Sequence, residues 1–114
     1  MSAVRAFAAG QVRDAAPLFA ALGDATRLQL LARLSTGGPD SITGLSARSA
    51  VTRQAITKHL AVLSRAGLVR DERRGRERIW RLEPRRLADA HEHLERISRL
   101  WDEALERLAS HVEG

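Results

Sequence analysis

Residues 51–69, VTRQAITKHLAVLSRAGLV, decide the fold, because their apolar and polar side chains separate onto two sides of one helix. Three apolar residues have the spacing of a buried helical face: Ile56, Leu60 and Leu63. Thr52 precedes them as an N-cap, and Gly67 stands where a left-handed C-terminal cap is expected. The sequence therefore predicts a helix over about residues 53–66.

The opposite side of this helix is polar, and its hydrogen-bonding side chains cluster in the first two turns: Arg53, Gln54, Thr57, Lys58 and His59. Side chains of these types can contact base edges or phosphates. A surface helix of any protein also carries some of them, so the cluster alone does not indicate a function. Features elsewhere in the sequence are needed to distinguish a DNA-binding helix from an ordinary surface helix.

Length and composition indicate one globular domain. The 114 residues are 44% hydrophobic and 29% charged, and with 4% aromatic residues the core must consist mainly of aliphatic side chains. Without cysteine, the chain forms neither a disulfide nor a thiolate metal site. Its apolar runs are short and interrupted by charge, and its start does not resemble a signal peptide. We therefore expect a cytoplasmic protein with no membrane span.

The positive charge is concentrated in the middle of the chain. Residues 48–86 hold eleven arginines and one lysine against four acids, a net charge of +8, whereas residues 87–114 hold three arginines against seven acids. The whole chain has a net charge of +5. A basic middle segment followed by an acidic one indicates one surface that faces a polyanion and another with a different role.

The N-terminal third predicts two helices. Residues 1–13 are interpreted as a flexible or partly helical lead, and a first helix is expected to begin at Asp14 as N-cap, with Pro17 in its first turn. Its apolar face consists of Leu18, Phe19 and Leu22. A second helix follows Asp24 and ends at residues 37–39, Gly-Gly-Pro. Its buried face is predicted to consist of Leu28, Leu31 and Leu34.

The segments on either side of the decisive helix complete a motif. Residues 40–50 predict a short helix, so the two helices form a helix-turn-helix. Residues 68–82 change to the alternating pattern of a β-hairpin, with Gly75 in a turn of basic residues that no core requires. The predicted fold is mainly α with a small β-hairpin wing, a winged helix-turn-helix domain over residues 14–114.

A single long helix is predicted over about residues 85–112, after Pro84. Its apolar stripe, with spacings of three and four, consists of Leu87, His91, Leu94, Ile97, Trp101, Leu105, Leu108 and Val112. This helix extends further than a small winged domain can cover. The excess apolar surface indicates that it packs against a second copy of itself, and the alternative is that the helix folds back over its own domain.

Four segments resemble the ArsR/SmtB family of bacterial winged helix-turn-helix repressors: LGDATRLQLL, KHLAVLSRAGLV, RRGRERIWRL and LWDEALERL. The resemblance covers roughly residues 14–112, and KHLAVLSRAGLV is its most specific part. It implies a homodimer built through the first and last helices, which represses transcription on operator DNA. It also implies release when a metal or another effector binds, so an unidentified inducer is possible.

The resemblance assigns roles to particular residues. Its major-groove positions match Thr52, Arg53, Gln54, Thr57, Lys58 and His59, and its wing matches Arg73, Arg74, Arg76 and Arg78. Ser49 and the wing arginines are expected to hold phosphates of double-stranded DNA. The implied dimer interface consists of Leu18, Phe19, Leu94, Ile97, Trp101, Leu105 and Leu108. Two recognition helices would meet half-sites about 34–36 Å apart, which implies an inverted repeat.

The chain departs from the family at both metal sites. The thiolate site would fall in SITGLSARS, residues 41–49, which has no cysteine. A second family site, on the last helix, is matched by Asp89 and His91, but Asp102 and Leu105 stand where the remaining ligands belong. Because His91 lies on the apolar stripe, we interpret it as a packed interface histidine rather than a zinc ligand, and no cofactor is expected.

Three alternatives remain beside a DNA-binding repressor. A metal-responsive repressor would use the incomplete site on the last helix. A protein-interaction module of the same fold is possible because fold does not fix function, but it would not need a net charge of +8 over residues 48–86. An enzyme would need an activated nucleophile, paired carboxylates or a phosphate-binding loop, and the sequence offers none of these.

Overall fold

The computed structural model describes residues 9–113, with side chains from 10 to 112. Over this range the chain forms five α-helices and three β-strands: α1 (Ala9–Leu22), α2 (Ala25–Gly37), β1 (Asp40–Ser41), α3 (Ile42–Ala47), α4 (Arg53–Arg65), β2 (Val69–Arg74), β3 (Glu77–Leu82) and α5 (Pro84–Glu113). Helices α3 and α4 form the helix-turn-helix, and β2 and β3 form the wing. The predicted mainly helical fold with a small wing is confirmed.

Side chains cap the helices that orient the motif. The Asp24 carboxylate accepts from the amide of Arg27 at 3.0 Å, and the Thr52 hydroxyl accepts from the amide of Ala55 at 3.1 Å. Each cap satisfies a first-turn N–H that has no partner within its helix. The predicted starts of α2 and α4 are confirmed.

The C-terminal end of α4 is a Schellman motif centred on Gly67, which has φ +79°. The Gly67 amide donates to the carbonyl of Ser64 at 2.9 Å, and the Leu68 amide donates to that of Leu63 at 3.0 Å. A left-handed backbone favours glycine because it has no Cβ. The chain therefore turns directly from α4 into β2, as the sequence predicted.

The sheet has three antiparallel strands in the order β1-β3-β2. Arg74 pairs with Glu77, which leaves a two-residue loop, and Gly75 has φ +63° at its first position. A two-residue hairpin with glycine at this position matches the right-handed twist of the strands. The sequence predicted the hairpin but missed β1, whose Asp40 pairs with Trp80.

One aliphatic core holds these elements together, and it includes all three apolar residues that defined α4. Its buried members are Leu18, Ala21, Leu30, Leu31, Leu34, Leu45, Ile56, Leu60, Leu63, Leu68, Val69, Trp80 and Ala90. Only the N-terminal part of α5 takes part in this core, through Ala90 and the partly buried Leu87. The core therefore fixes α4 and the wing, and leaves most of α5 outside.

The start of the first helix differs from the prediction. Helix α1 is already formed at Ala9, so Asp14 lies inside the helix and is not its N-cap, and Pro17 is not in the first turn. Residues 9–13, which the sequence assigned to a lead, are helical, while residues 1–8 of that lead lie outside the described residues. The Asp14 carboxylate instead approaches Nε2 of His93 in α5 at 3.3 Å. A tertiary contact has replaced the expected capping role.

The buried face of α2 is also rotated from the predicted one. Leu31 and Leu34 are buried as expected, but Leu30 is buried in place of Leu28, which is 51% exposed. A leucine at either position fits a helical stripe, and the packing against α4 and β3 determines which one is covered.

Helix α5 is 30 residues long, about 45 Å at 1.5 Å per residue. Its observed bounds agree with the predicted long helix. Between residues 9 and 113, the structure has no helix that is long and apolar enough to cross a membrane.

Candidate nucleic-acid interface

The N-terminal half of α4 presents a polar surface to solvent. The side chains that it exposes are Thr52, Arg53, Gln54, Thr57 and Lys58. The opposite face of α4 anchors the helix to the core, because Ile56 and Leu60 on that face are completely buried. Guanidinium, amide and ammonium groups on an exposed helix can reach the donor and acceptor pattern of a DNA major groove.

Two hydroxyl groups order this surface. The Thr57 hydroxyl donates to the carbonyl of Arg53 at 2.9 Å, one turn earlier in α4. The Arg53 guanidinium donates through Nη1 to the hydroxyl of Thr43 in α3 at 3.0 Å. Thr43 was not predicted, because a contact between two side chains ten residues apart on different helices leaves no signal in the periodicity of either helix.

His59 is less exposed than these five residues and contacts the start of α2, a contact that the sequence did not predict. Its side chain is 24% exposed, and its Nδ1 lies 3.3 Å from Nη1 of Arg27 and 3.9 Å from the carboxylate of Asp24. The backbone amide of Arg27 also lowers the pKa of Asp24 below the ordinary value of 3.8. His59 therefore joins α4 to the start of α2.

The basic wing is exposed, and some of its arginines are already paired with acids. The Arg78 guanidinium contacts the carboxylate of Asp71 at 2.8 Å, and that of Arg74 contacts Glu72 at 3.1 Å. Arg73 lies directly opposite Arg78 across the hairpin, and Arg76 lies in the two-residue loop. Exposed ion pairs are weak, so these arginines can exchange a carboxylate for a phosphate.

Ser49 lies in the turn between α3 and α4 and is half-buried. Its hydroxyl oxygen accepts from the amide of Val51 at 3.0 Å, so it shapes the turn that leads into α4. The hydroxyl proton is still able to donate to a phosphate.

A second surface lies on the C-terminal part of α5. We call it the α5 stripe and define it by the large apolar side chains that α5 exposes: Leu94, Trp101, Leu105, Leu108 and Val112. Ile97, on the same side, is half-buried. A solvent-exposed row of apolar side chains of this length is typical of an interaction site.

The α1 residues of the predicted dimer interface are less exposed than expected. Leu18 is completely buried in the core of its own chain, so it is not available to a second chain, and Phe19 is half-buried. Val12, which was not predicted, is 46% exposed on α1. The sequence shows that Leu18 is apolar, but it does not show whether Leu18 lies in the core of its own chain or in an interface with a second chain.

The candidate metal ligands on α5 point into solvent or contact other side chains. The Asp89 carboxylate contacts Arg86 at 3.3 Å, His91 is 74% exposed with its Nδ1 3.3 Å from Glu95, and Asp102 is exposed. Within residues 9–113 of this one chain, no group of three His, Cys, Asp or Glu side chains could hold a metal ion. His91 thus lies at the edge of the α5 stripe with a carboxylate neighbour on its own helix.

The buried histidine of α5 is His93, which is 6% exposed. Its contact with Asp14 joins α5 to α1, and Arg86 approaches the same carboxylate at 3.9 Å. Arg86 also donates through Nε to the carbonyl of Ala66 at the end of α4. Sequence spacing gave no signal for this cluster, because its members come from three different helices.

Comparisons with known proteins agree with this geometry. A family model described as a helix-turn-helix domain matches residues 22–72. The HTH-type transcriptional regulator Rv2034 of Mycobacterium tuberculosis is 36% identical over 94 residues, which cover 82% of this chain and 84% of that protein. The arsenic resistance transcriptional regulator ArsR1 of Pseudomonas putida is 32% identical over 85 residues, which cover 72% of this chain and 66% of that protein.

Several solved structures have a fold similar to that of this chain. An ArsR-like transcriptional regulator from Rhodococcus sp. RHA1 superposes with a TM-score of 0.73 and 38% sequence identity, over 89% of this chain and 94% of that chain. The match extends well beyond the helix-turn-helix, so it includes helices at both ends of the domain.

Proposed function

The chain belongs to the ArsR family of helix-turn-helix transcriptional regulators, and on that premise we propose that it is a homodimeric repressor of an inverted-repeat operator. The family consists of DNA-binding regulators rather than enzymes. The observation that carries the proposal is the exposed polar N-terminal half of α4, held by a completely buried apolar face.

Base reading is assigned to the exposed residues of α4. Arg53 and Lys58 suit the O6 and N7 acceptors of guanine, and Gln54 suits the N6 and N7 groups of adenine. Thr57 lies between them on the same exposed surface. His59 is left out of this assignment, because its ring contacts Arg27.

Phosphate binding is assigned to the wing. Arg76 occupies the hairpin loop and Arg73 lies beside it on β2, and both side chains are exposed. Phosphate contacts fix orientation and contribute affinity for any sequence, whereas base contacts select among sequences. The two surfaces therefore have separable roles that mutations can distinguish.

Assembly into a homodimer is supported by the α5 stripe. Its five large apolar side chains lie on a part of α5 that the core of the same chain does not cover. A second copy of the chain would cover the stripe with an identical one, as a twofold axis requires. Each dimer would then carry two α4 helices for two half-sites about 34 Å apart.

Repression would follow from occupancy, because a dimer bound across an operator blocks access by other proteins. The nature of an inducer is a separate matter. The Pseudomonas putida relative is named as an arsenic resistance regulator, but soft ions prefer thiolate ligands and this chain has no cysteine. We therefore do not extend arsenic sensing to this protein.

The salt dependence of DNA binding tests the proposal. Preferred duplexes would be selected from a randomised library with the wild-type protein, and the binding constant would be measured by fluorescence anisotropy at several salt concentrations. Each phosphate contact contributes about −0.9 to the slope of log K against log salt. Arg76→Ala removes one contact per chain, so a symmetric dimer should lose about 1.8 from the slope.

Arg99→Ala provides the matched control. Arg99 is exposed on α5 and lies two residues from Trp101, which places it on the opposite side of that helix from the α5 stripe, and it belongs to neither α4 nor the wing. Its loss removes the same charge but should leave the slope unchanged. A slope loss of about 0.9 with Arg76→Ala would contradict a symmetric dimer on DNA, and a flat salt response of the wild type would contradict DNA binding through this surface.

A further inference from the structure

The contact between Arg53 and Thr43 joins the two helices of the helix-turn-helix on their outer surface. Arg53 is the first residue of α4, and Thr43 is the second residue of α3. Nη1 of the guanidinium lies 3.0 Å from the threonine hydroxyl oxygen, and both side chains are exposed. A long arginine side chain is therefore held in one direction at the place where α4 would enter a groove.

Both ends of Arg53 are fixed by hydrogen bonds. Its carbonyl accepts from the Thr57 hydroxyl at 2.9 Å, and its backbone lies directly after the N-cap Thr52. Its guanidinium has five N–H donors in a planar arrangement, and Thr43 accepts from one of them. Enough donors remain for the two parallel hydrogen bonds that read O6 and N7 of guanine.

We propose that Thr43 is a specificity-determining residue, which positions the Arg53 guanidinium for a guanine in each half-site. This inference rests on the proposed DNA-reading function and deepens it. Thr43 acts through Arg53: it restricts the rotamers of the free side chain, so that less freedom is lost when the guanine is bound. A side chain held in this way favours one base at one position.

A purely structural role for the contact is not supported by the packing. Helix α3 is attached to the core by Leu45, which is 1% exposed, and by Ile42. It is further held by Arg33 of α2, whose guanidinium donates to the carbonyls of Leu45 and Gly44. A hydrogen bond between two exposed side chains adds little to these contacts. Replacement of Thr43 should therefore leave the fold and its melting temperature unchanged.

The experiment compares Thr43→Val with the wild type on defined duplexes. The duplex preferred by the wild type would be selected from a randomised library, and each guanine of one half-site would be replaced in turn. The discrimination ratio is the binding constant for the preferred duplex divided by that for each replaced duplex. Loss of one positioning hydrogen bond should lower this ratio about 3- to 10-fold at one guanine position, with no change in binding to a random duplex.

Two further variants separate positioning from other effects. Thr43→Ser retains the hydroxyl and should restore the wild-type ratio. In an Arg53→Ala background, Thr43→Val should cause no further loss, because the side chain through which it acts is absent. A loss of the same size in that background would overturn the inference, as would a uniform loss on all duplexes.

The outcomes distinguish this inference from the proposed function. If the wild type selects no preferred duplex, the proposed function fails, and the inference fails with it. If the wild type selects a duplex whose discrimination is the same in Thr43→Val at every position, the inference alone is overturned. A fall at one guanine position, restored by Thr43→Ser, would support both.

Discussion

Leu105→Ala should weaken the proposed dimer without affecting the fold of the single chain. Leu105 is 63% exposed in the α5 stripe. Full burial of a leucine side chain contributes about 1.5–3 kcal/mol, so covering the exposed part would contribute about 1–2 kcal/mol. Both copies carry the substitution, so the dimer should lose about 2–4 kcal/mol. The dissociation constant should rise about 30- to 700-fold.

Sedimentation equilibrium over a concentration series measures this change. Leu28→Ala is the matched control, because Leu28 is another half-exposed leucine, 51% exposed, and it lies on α2 outside the α5 stripe. It should leave the dissociation constant unchanged. Dimerisation through the α5 stripe is refuted if Leu105→Ala dimerises as tightly as the wild type, or if Leu28→Ala weakens the dimer equally. A wild-type chain that is monomeric at micromolar concentration would contradict the dimer itself.

Further predictions concern the reading surface, the caps and metal. Gln54→Ala should reduce discrimination at an adenine by about 1–3 kcal/mol in binding assays, with little change on random DNA. Thr52→Ala should lower the free energy of unfolding by about 1 kcal/mol in urea titrations, and Thr52→Ser should retain most of it. Because the folded-state pKa of Asp24 is lowered, its stabilising effect should be complete above pH 3.8 and disappear as pH falls through the folded pKa. Thermal melts between pH 2 and 7 should therefore show less acid-induced loss of stability for Asp24→Asn, which keeps a capping group but does not titrate. Zinc should not release the DNA complex, and release that His91→Ala abolishes would contradict our interpretation of that histidine.

The features that the sequence predicted correctly have causes within a few residues. Thr52 accepts from an amide three residues later, and the Schellman motif at Gly67 is closed by amides and carbonyls within five residues. Gly75 sets the hairpin turn by its own backbone. Since such interactions depend only on neighbours along the chain, the order of elements and the position of α4 could be read before any tertiary contact was known.

The features that the sequence did not predict depend on which other helix packs against a given side chain. Asp14 has the chemistry of an N-cap, but α1 extends past it and His93 is its neighbour. His59 has the chemistry of a DNA contact, but its ring also contacts Arg27 and Asp24 at the start of α2. Leu18 could belong to the core of its own chain or to a dimer interface, since both are apolar. Its complete burial shows that it belongs to the core. A single sequence gives the type of a side chain and its face, and packing selects its partner.

Tertiary contacts attach α4 to neighbouring helices at two points, its middle and its C-terminal end. Near its middle, His59 contacts Arg27 of α2, and at its C-terminal end the carbonyl of Ala66 accepts from Arg86 of α5 at 3.0 Å. Arg86 belongs to the helix that carries the α5 stripe and also approaches Asp14 of α1. In the proposed dimer, the distance between the two α4 helices must match one turn of DNA, about 34 Å. Residues that the proposal does not assign to DNA contacts would set that distance, because they fix α4 relative to α5, which carries the proposed dimer surface.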